Sequence, residues 1–89
     1  MAGPVNVTIV NRRGLHARAS ARFVTLASTF DAVVTVCKDG SSVTGTSIMG
    51  LMMLAAATGD TVEIAATGAQ ADEALAALVT LVETKFGED

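Results

Sequence analysis

The chain has 89 residues, of which 51% are apolar, and this length and composition predict a single domain over residues 1–89. A net charge of −3 and the absence of tryptophan and tyrosine argue against nucleic-acid binding, which favours basic surfaces and aromatic stacking platforms. The one cysteine excludes an internal disulfide, and the chain shows neither a signal peptide nor an apolar run of bilayer length, so we expect a cytoplasmic protein without membrane insertion.

The first three predicted elements are a strand, a helix and a strand. Apolar and polar side chains alternate over Val5–Val10, as in a strand with one buried face. Residues 17–29 contain no proline or glycine and carry apolar side chains at helical spacing, which predicts a helix that begins at or beside His16. The alternation returns over Ala32–Lys38, with Cys37 in the phase expected to face outward.

The second half of the chain predicts two strands and two helices. The pair Asp39–Gly40 is typical of a type I′ hairpin and leads into a strand over Ser41–Thr44. A short apolar helix is expected over Ile48–Ala56, and alternation predicts the last strand over Thr61–Ala66. The apolar stripe of Ala69–Phe86 indicates a long amphipathic helix.

The element order βαββαβα predicts an α+β fold, an open-faced two-layer sandwich. In this arrangement a four-stranded antiparallel sheet carries the helices on one face and leaves the other face exposed.

We expect Cys37 to be structural or incidental, and the protein to be a monomer. Zinc requires three or four nitrogen or sulfur ligands, whereas the chain has one histidine and one distant cysteine, so no metal site is expected.

The positive charge of this acidic chain is concentrated in one segment. Residues 12–22 hold Arg12, Arg13, Arg18 and Arg22 and no acid, and they surround His16, the only histidine. Focused charge of this kind attracts small anions and acidic partner surfaces. A histidine beside a basic turn is a plain surface residue as often as it is a functional one. For His16, the position at a helix start and the arginine neighbours favour a phosphate site.

A phosphoryl group on His16 would meet several donors. Because the first amides of a helix lack intrahelical acceptors, Ala17 and the residues after it present free N–H groups and a positive dipole end. The planar guanidinium of Arg18 can contact two phosphate oxygens at once. Arg12 and Arg13 precede the helix and are expected to orient a ligand or to meet acids on a partner, whereas Arg22 is interpreted as a helix surface charge.

A second feature is the segment from Thr46 to Met53. Ser47 is predicted to cap the short helix. A helix of this length cannot bury all of its apolar side chains, so an adaptable patch of Ile48, Met49, Leu51 and Met52 is expected to dock partners. The alternative is that the methionines fill the core or its rim.

Residues 14–18 (GLHAR) and 47–50 (SIMG) resemble the two signature regions of the HPr family of histidine-containing phosphocarrier proteins. The resemblance extends over essentially the whole chain and implies that Nδ1 of His16 accepts a phosphoryl group from enzyme I, which phosphoenolpyruvate charges. The group then passes to a histidine of an enzyme IIA domain. The resemblance implies that Arg18 assists the transfer and that Ser47 is a regulatory site for an HPr kinase/phosphorylase. It implies no cofactor and no turnover of its own.

One residue departs from the family pattern, since Ala19 stands where a proline is usual. Proline in the first helical turn restricts φ, so we expect alanine to be tolerated with a modest loss of rigidity. A second hypothesis from a different class is a regulatory binding module controlled by phosphorylation, for example in a nitrogen-related branch rather than in sugar uptake.

Overall fold

The computed structural model describes residues 2–88 and places the elements in the predicted order. They are β1 (Ala2–Thr8), α1 (Ala17–Ala27), β2 (Val33–Lys38), β3 (Ser41–Thr44), α2 (Ile48–Met53), β4 (Thr61–Thr67), α3 (Ala71–Glu83) and a 3₁₀ turn (Lys85–Gly87). The four strands form one sheet in the order β1-β4-β2-β3, in which all neighbours are antiparallel. Helix α3 packs across β1, β4 and β2, and α1 packs beside α3 and α2. The predicted α+β sandwich is therefore confirmed.

The core lies between the inner face of the sheet and the helices. Val34 and Val36 of β2 are buried against side chains such as Phe23 of α1. The other phase of β2 faces outward, with Val33 exposed and Cys37 half-buried. This arrangement confirms the predicted orientation of the strand.

The ends of the strands differ slightly from the predicted ones. Strand β1 covers Ala2–Thr8 instead of Val5–Val10, although Ile9 stays buried and its amide donates to the Asp60 carbonyl at 2.8 Å. The hairpin between β2 and β3 has the expected backbone, because Asp39 and Gly40 both have positive φ, 50° and 82°.

Helix α1 ends at Ala27, two residues before the predicted end. The hydroxyl of Ser28 donates to the Val24 carbonyl at 2.8 Å, and that of Thr29 donates to the Leu26 carbonyl at 2.7 Å. The backbone amides of Ser28 and Thr29 donate to the same two carbonyls, at 2.9 and 3.0 Å, so the main chain closes the last turn and the hydroxyls add to it.

Helix α2 ends at Met53 rather than at Ala56. Ala55 adopts a φ of 54°, which a right-handed helix cannot contain. The carbonyl of Ala56 instead accepts the amide of Leu15 at 2.9 Å. The early end of α2 thus provides an acceptor for the loop that precedes α1.

Helix α3 begins at Ala71 rather than at Ala69 because Gln70 is bonded to another part of the chain. Its amide donates to the Asp31 carbonyl at 2.9 Å, and its side-chain oxygen accepts the Asp31 amide at 2.7 Å. The helix is also shorter than predicted at its other end, where it stops at Glu83.

The C-terminal turn leaves the helical path. Lys85 and Phe86 have φ values of 62° and 55°, so the predicted helix cannot reach Phe86. The Thr84 hydroxyl closes α3 by donating to the Thr80 carbonyl at 2.8 Å. Phe86 is still fully buried, as its place in the apolar stripe suggested, but the turn that buries it redirects the chain toward the start of α1.

Candidate functional site

The loop before α1 is held by backbone contacts that require a glycine. Gly14 has a φ of 66°, and a Cβ at this position would lie 2.4 Å from the Ala56 carbonyl oxygen. Its amide donates to the Asn11 carbonyl at 3.2 Å, while Leu15 is buried and bonded to Ala56. The loop therefore delivers His16 to one defined position beside the end of α2.

His16 is the N-cap residue of α1. Its backbone is extended, with φ −75° and ψ −179°, and its carbonyl accepts the Ser20 amide at 2.9 Å as the first bond of the helix. The amides of Ala17, Arg18 and Ala19 precede that bond and have no intrahelical acceptor. Because the imidazole makes no capping bond and its side chain is 16% exposed, it can meet a ligand at the positive end of the helix.

Ala19 is fully buried in this first turn. Its amide comes before the first intrahelical hydrogen bond, so neither alanine nor proline would cost the helix a bond there. Ser20 is also fully buried, and its hydroxyl donates to the Leu15 carbonyl at 3.2 Å. The burial of Ala19 and Ser20 and this hydroxyl bond thus hold the first turn of α1 in place.

A carboxylate from the far end of the chain contacts the histidine. Oε2 of Glu88 lies 2.5 Å from Nε2 of His16, and its Oε1 accepts Nδ2 of Asn11 at 3.0 Å. The same Nδ2 donates to the Gly14 carbonyl at 2.9 Å. Asn11 is fully buried and the Glu88 side chain is only 15% exposed, so the imidazole, the carboxylate and the amide form one connected group.

The environment favours the charged form of Glu88. The hydrogen bond from Asn11 lowers the pKa of this carboxyl below its ordinary value of 4.5, and partial burial opposes that effect. The hydrogen bond from His16, the charge that its ring carries when protonated, and the charge of Arg22 lower the pKa further. At neutral pH the imidazole therefore faces an ionised carboxylate.

We expect acid to release this contact. A folded pKa below the unfolded value means that Glu88 stabilises the fold fully above pH 4.5, and that this stabilisation is lost as the pH falls through the lower folded pKa. In an NMR titration of the wild type from pH 6 downward, the Gly87 and Glu88 amide signals should move as the pH falls through the folded pKa of Glu88. The same movement in Glu88→Gln would contradict the assignment.

The arginines divide into two groups. Arg12, Arg13 and Arg18 are exposed, as a role toward ligand or partner requires. Arg22 is exposed as well, but its guanidinium donates to the Phe86 carbonyl and so ties α1 to the C-terminal turn. The interpretation of Arg22 as a plain surface charge is therefore incomplete.

An open groove of about 630 Å³ runs along α1. Arg18 and Arg22 line it together with apolar side chains that include Leu26, Leu81 and Phe86. Two guanidinium groups and an apolar surface therefore lie together along α1.

Ser47 caps α2 as predicted. Its Oγ accepts the Gly50 amide at 2.9 Å, and the residue is half-buried. The structure places Ile48, Met49 and Met52 at the surface, with Met49 70% exposed.

The prediction that Leu51 belongs to the docking patch is wrong. Leu51 is fully buried, because α2 packs against α1 and β3 and residue 51 lies on the inward side of the helix together with Leu54. Met53, which is 79% exposed, extends the surface instead. The name apolar patch is used below for Ile48, Met49, Met52 and Met53.

Three residues of this site were not predicted, namely Asn11, Ser20 and Glu88. Asn11 and Ser20 are polar side chains whose burial cannot be seen without the fold. Glu88 lies 72 residues from His16, and nothing in its local sequence links the two.

Within residues 2–88, no helix is long and apolar enough to cross a membrane. Nor do three or more histidine, cysteine, aspartate or glutamate side chains of this range gather where they could hold a metal ion.

Comparison with known proteins identifies the family. A family model described as PTS HPr component phosphorylation site matches residues 5–84. The chain is 51% identical over 83 residues to phosphocarrier protein HPr of Neisseria meningitidis, which covers 93% of each chain. It is 43% identical to phosphocarrier protein NPr of Shewanella violacea, which covers 92% of this chain and 90% of the relative.

Comparison with solved structures identifies the same family. The crystal structure of HPr-C-His from Thermoanaerobacter tengcongensis superimposes with a TM-score of 0.91 at 46% identity and covers 96% of both chains. The βαββαβα fold thus has counterparts among solved HPr structures. The chain belongs to the HPr and NPr phosphocarrier family of the phosphoenolpyruvate-dependent phosphotransferase system.

Proposed function

We propose that the chain is a phosphoryl relay in which His16 accepts the group from the phosphohistidine of enzyme I and passes it to a histidine of an enzyme IIA domain. The observation that carries this proposal is the placement of the imidazole. It is partly exposed at the open amide end of α1, and one of its two ring nitrogens is bonded to Glu88. The other nitrogen remains for a phosphoryl group.

The first turn of α1 supplies the electrostatic part of the transfer. The transferred group carries negative charge over three oxygens, and catalysis consists mainly of positioning and charge neutralisation. The free amides of residues 17–19 and the guanidinium of Arg18 provide both. Because each transfer returns the group to another protein, the chain needs neither turnover of its own nor a cofactor.

Reconstitution tests the relay. The protein is incubated with phosphoenolpyruvate and enzyme I, and the product is examined for an acid-labile, alkali-stable phosphoryl adduct, as expected of phosphohistidine. An added enzyme IIA domain should then remove the adduct. Failure to acquire the group, or an adduct that no IIA domain can discharge, would contradict the proposal.

Arg18 is expected to increase the transfer rate without being required for folding. Because its exposed guanidinium can neutralise developing charge on the phosphoryl oxygens, Arg18→Ala should slow phosphorylation by about 100-fold. Arg18→Lys keeps the charge but loses the planar fork, so an intermediate rate is expected. Rapid-quench kinetics with phosphorylated enzyme I would measure both rates, and unchanged rates would exclude this role.

The apolar patch and the exposed Arg12 and Arg13 form the proposed docking surface for enzyme I and IIA domains. Flexible methionine side chains adapt to more than one partner, which a relay requires. The exposed arginines select acidic partner surfaces and accelerate their approach.

Ser47 is the proposed site of regulatory phosphorylation by an HPr kinase/phosphorylase. Its hydroxyl lies at the border of the apolar patch, so a phosphate there would place negative charge in the docking surface.

We expect Ser47→Asp, as a mimic of the phosphorylated state, to weaken binding of enzyme I by about tenfold. The matched control is Ser47→Ala, which loses the α2 cap and about 1 kcal/mol of stability but adds no charge. Isothermal titration calorimetry would separate the two effects. Equal affinity of Ser47→Asp and the wild type would count against this regulatory role.

A second candidate function is a regulatory module, for example in a nitrogen-related branch. It is supported by the similarity to relatives of both names, 51% to an HPr and 43% to an NPr. Parallel transfer assays with the enzyme I and IIA domain of each branch would discriminate between the two. In either case we propose a cytoplasmic monomer.

A further inference from the structure

We propose that Glu88 is a positioning residue, which holds His16 in the tautomer that carries its proton on Nε2 and so leaves the lone pair on Nδ1. This inference rests on the proposed phosphoryl transfer to His16. It assigns the choice of the reacting nitrogen to a side chain from the C-terminal end of the chain.

The hydrogen-bonding capacity of the groups determines the tautomer. An ionised carboxylate only accepts hydrogen bonds, so a nitrogen 2.5 Å from Oε2 of Glu88 must be the one that carries hydrogen. A neutral imidazole has one protonated and one free nitrogen. With Nε2 protonated, the lone pair is on Nδ1.

Asn11 fixes the carboxylate in turn. Its Nδ2 lies between two acceptors, the Gly14 carbonyl and Oε1 of Glu88. The opposite orientation of the amide would set its oxygen against both acceptors, so the donor position is unambiguous. Because Asn11 is fully buried, it forms a rigid support for Glu88.

Packing of the C-terminal turn brings Glu88 to this position. Phe86 is fully buried, and the Arg22 guanidinium donates to its carbonyl. The amide of Glu88 donates to the Lys85 carbonyl at 2.9 Å, which closes the turn. The carboxylate is therefore placed by a buried anchor two residues earlier.

The transfer step balances with this arrangement. Nδ1 donates its lone pair to phosphorus while the donor's P–N bond breaks and its electron pair stays with the donor nitrogen. His16 then carries a positive ring with hydrogen still on Nε2, and the Glu88 carboxylate stabilises that charge. In the onward transfer the P–N electrons return to Nδ1 and restore the same neutral tautomer. Nothing is oxidised or reduced, and no proton has to be exchanged with solvent.

Two substitutions separate positioning from simple loss of charge. In Glu88→Gln the side chain has one oxygen, which the Asn11 donor retains, so its NH₂ group turns toward Nε2 and favours hydrogen on Nδ1. Glu88→Ala removes the preference without reversing it.

We expect phosphorylation by enzyme I to slow by about tenfold in Glu88→Ala and by about 100-fold in Glu88→Gln. The matched control Glu83→Gln, which removes an exposed carboxylate from α3, should behave as the wild type.

The decisive readout is ¹⁵N NMR of the His16 ring in the unphosphorylated protein, because it requires no partner and a merely structural role of Glu88 would not reverse it. The wild type and Glu83→Gln should show hydrogen on Nε2, and Glu88→Gln should show it on Nδ1. The same tautomer and the same rate in Glu88→Gln as in the wild type would overturn the positioning role. Absence of phosphoryl uptake by the wild type would instead overturn the proposed function. The tautomer measurement alone would then decide whether Glu88 positions the His16 ring.

Discussion

Replacing His16 with alanine is expected to abolish phosphoryl uptake from enzyme I. His16 is the only histidine of the chain, and its ring is partly exposed at the amide end of α1. The side chain makes no capping bond, and the first helical bond uses its backbone carbonyl, so α1 should still form in the variant. The measurement is incorporation of the phosphoryl group from phosphoenolpyruvate, with circular dichroism to establish folding.

The control for this experiment is Val33→Ala, which alters an exposed side chain on the open face of the sheet, away from α1. It should be phosphorylated at the wild-type rate. A folded His16→Ala protein that still acquires an acid-labile phosphoryl group would show that another residue is the acceptor.

Replacing Phe86 with alanine is expected to lower the free energy of unfolding by about 3 to 5 kcal/mol, the usual cost of truncating a buried aromatic side chain. Phe86 is fully buried and lies in the turn that brings Glu88 to His16. The substitution should therefore also weaken the contact between these two residues. Urea denaturation would measure the stability, and the ¹⁵N signals of the His16 ring would report the contact.

Met53→Ala provides the comparison, since its side chain is 79% exposed and its loss should change stability by less than about 0.5 kcal/mol. A cost for Phe86→Ala as small as that for Met53→Ala would contradict the burial of the C-terminal turn.

The fold could be predicted because its elements have clear periodicity. The alternation in β2 assigned Val34 and Val36 to the core, and the structure confirms this. The ends of helices were less predictable, because they depend on single local events. Examples are the left-handed backbones of Ala55 after α2 and of Lys85 after α3.

The candidate site was predictable only where it is local in sequence. The capping role of Ser47 and the position of His16 at a helix start follow from neighbouring residues, and the structure shows both. The inward position of Leu51 could not be predicted from an apolar helix of six residues, in which no polar side chain marks the outer face. Glu88 could not be predicted either, because its contact with His16 depends on the C-terminal turn and the packing of Phe86.

The most direct test is to locate the phosphoryl group on the protein. Wild-type protein labelled with ¹⁵N is phosphorylated by enzyme I and phosphoenolpyruvate, and the coupling between ³¹P and the ring nitrogens is measured. We predict one phosphoryl group, bonded to Nδ1 of His16. A group bonded to Nε2, or to any residue other than His16, would contradict the account.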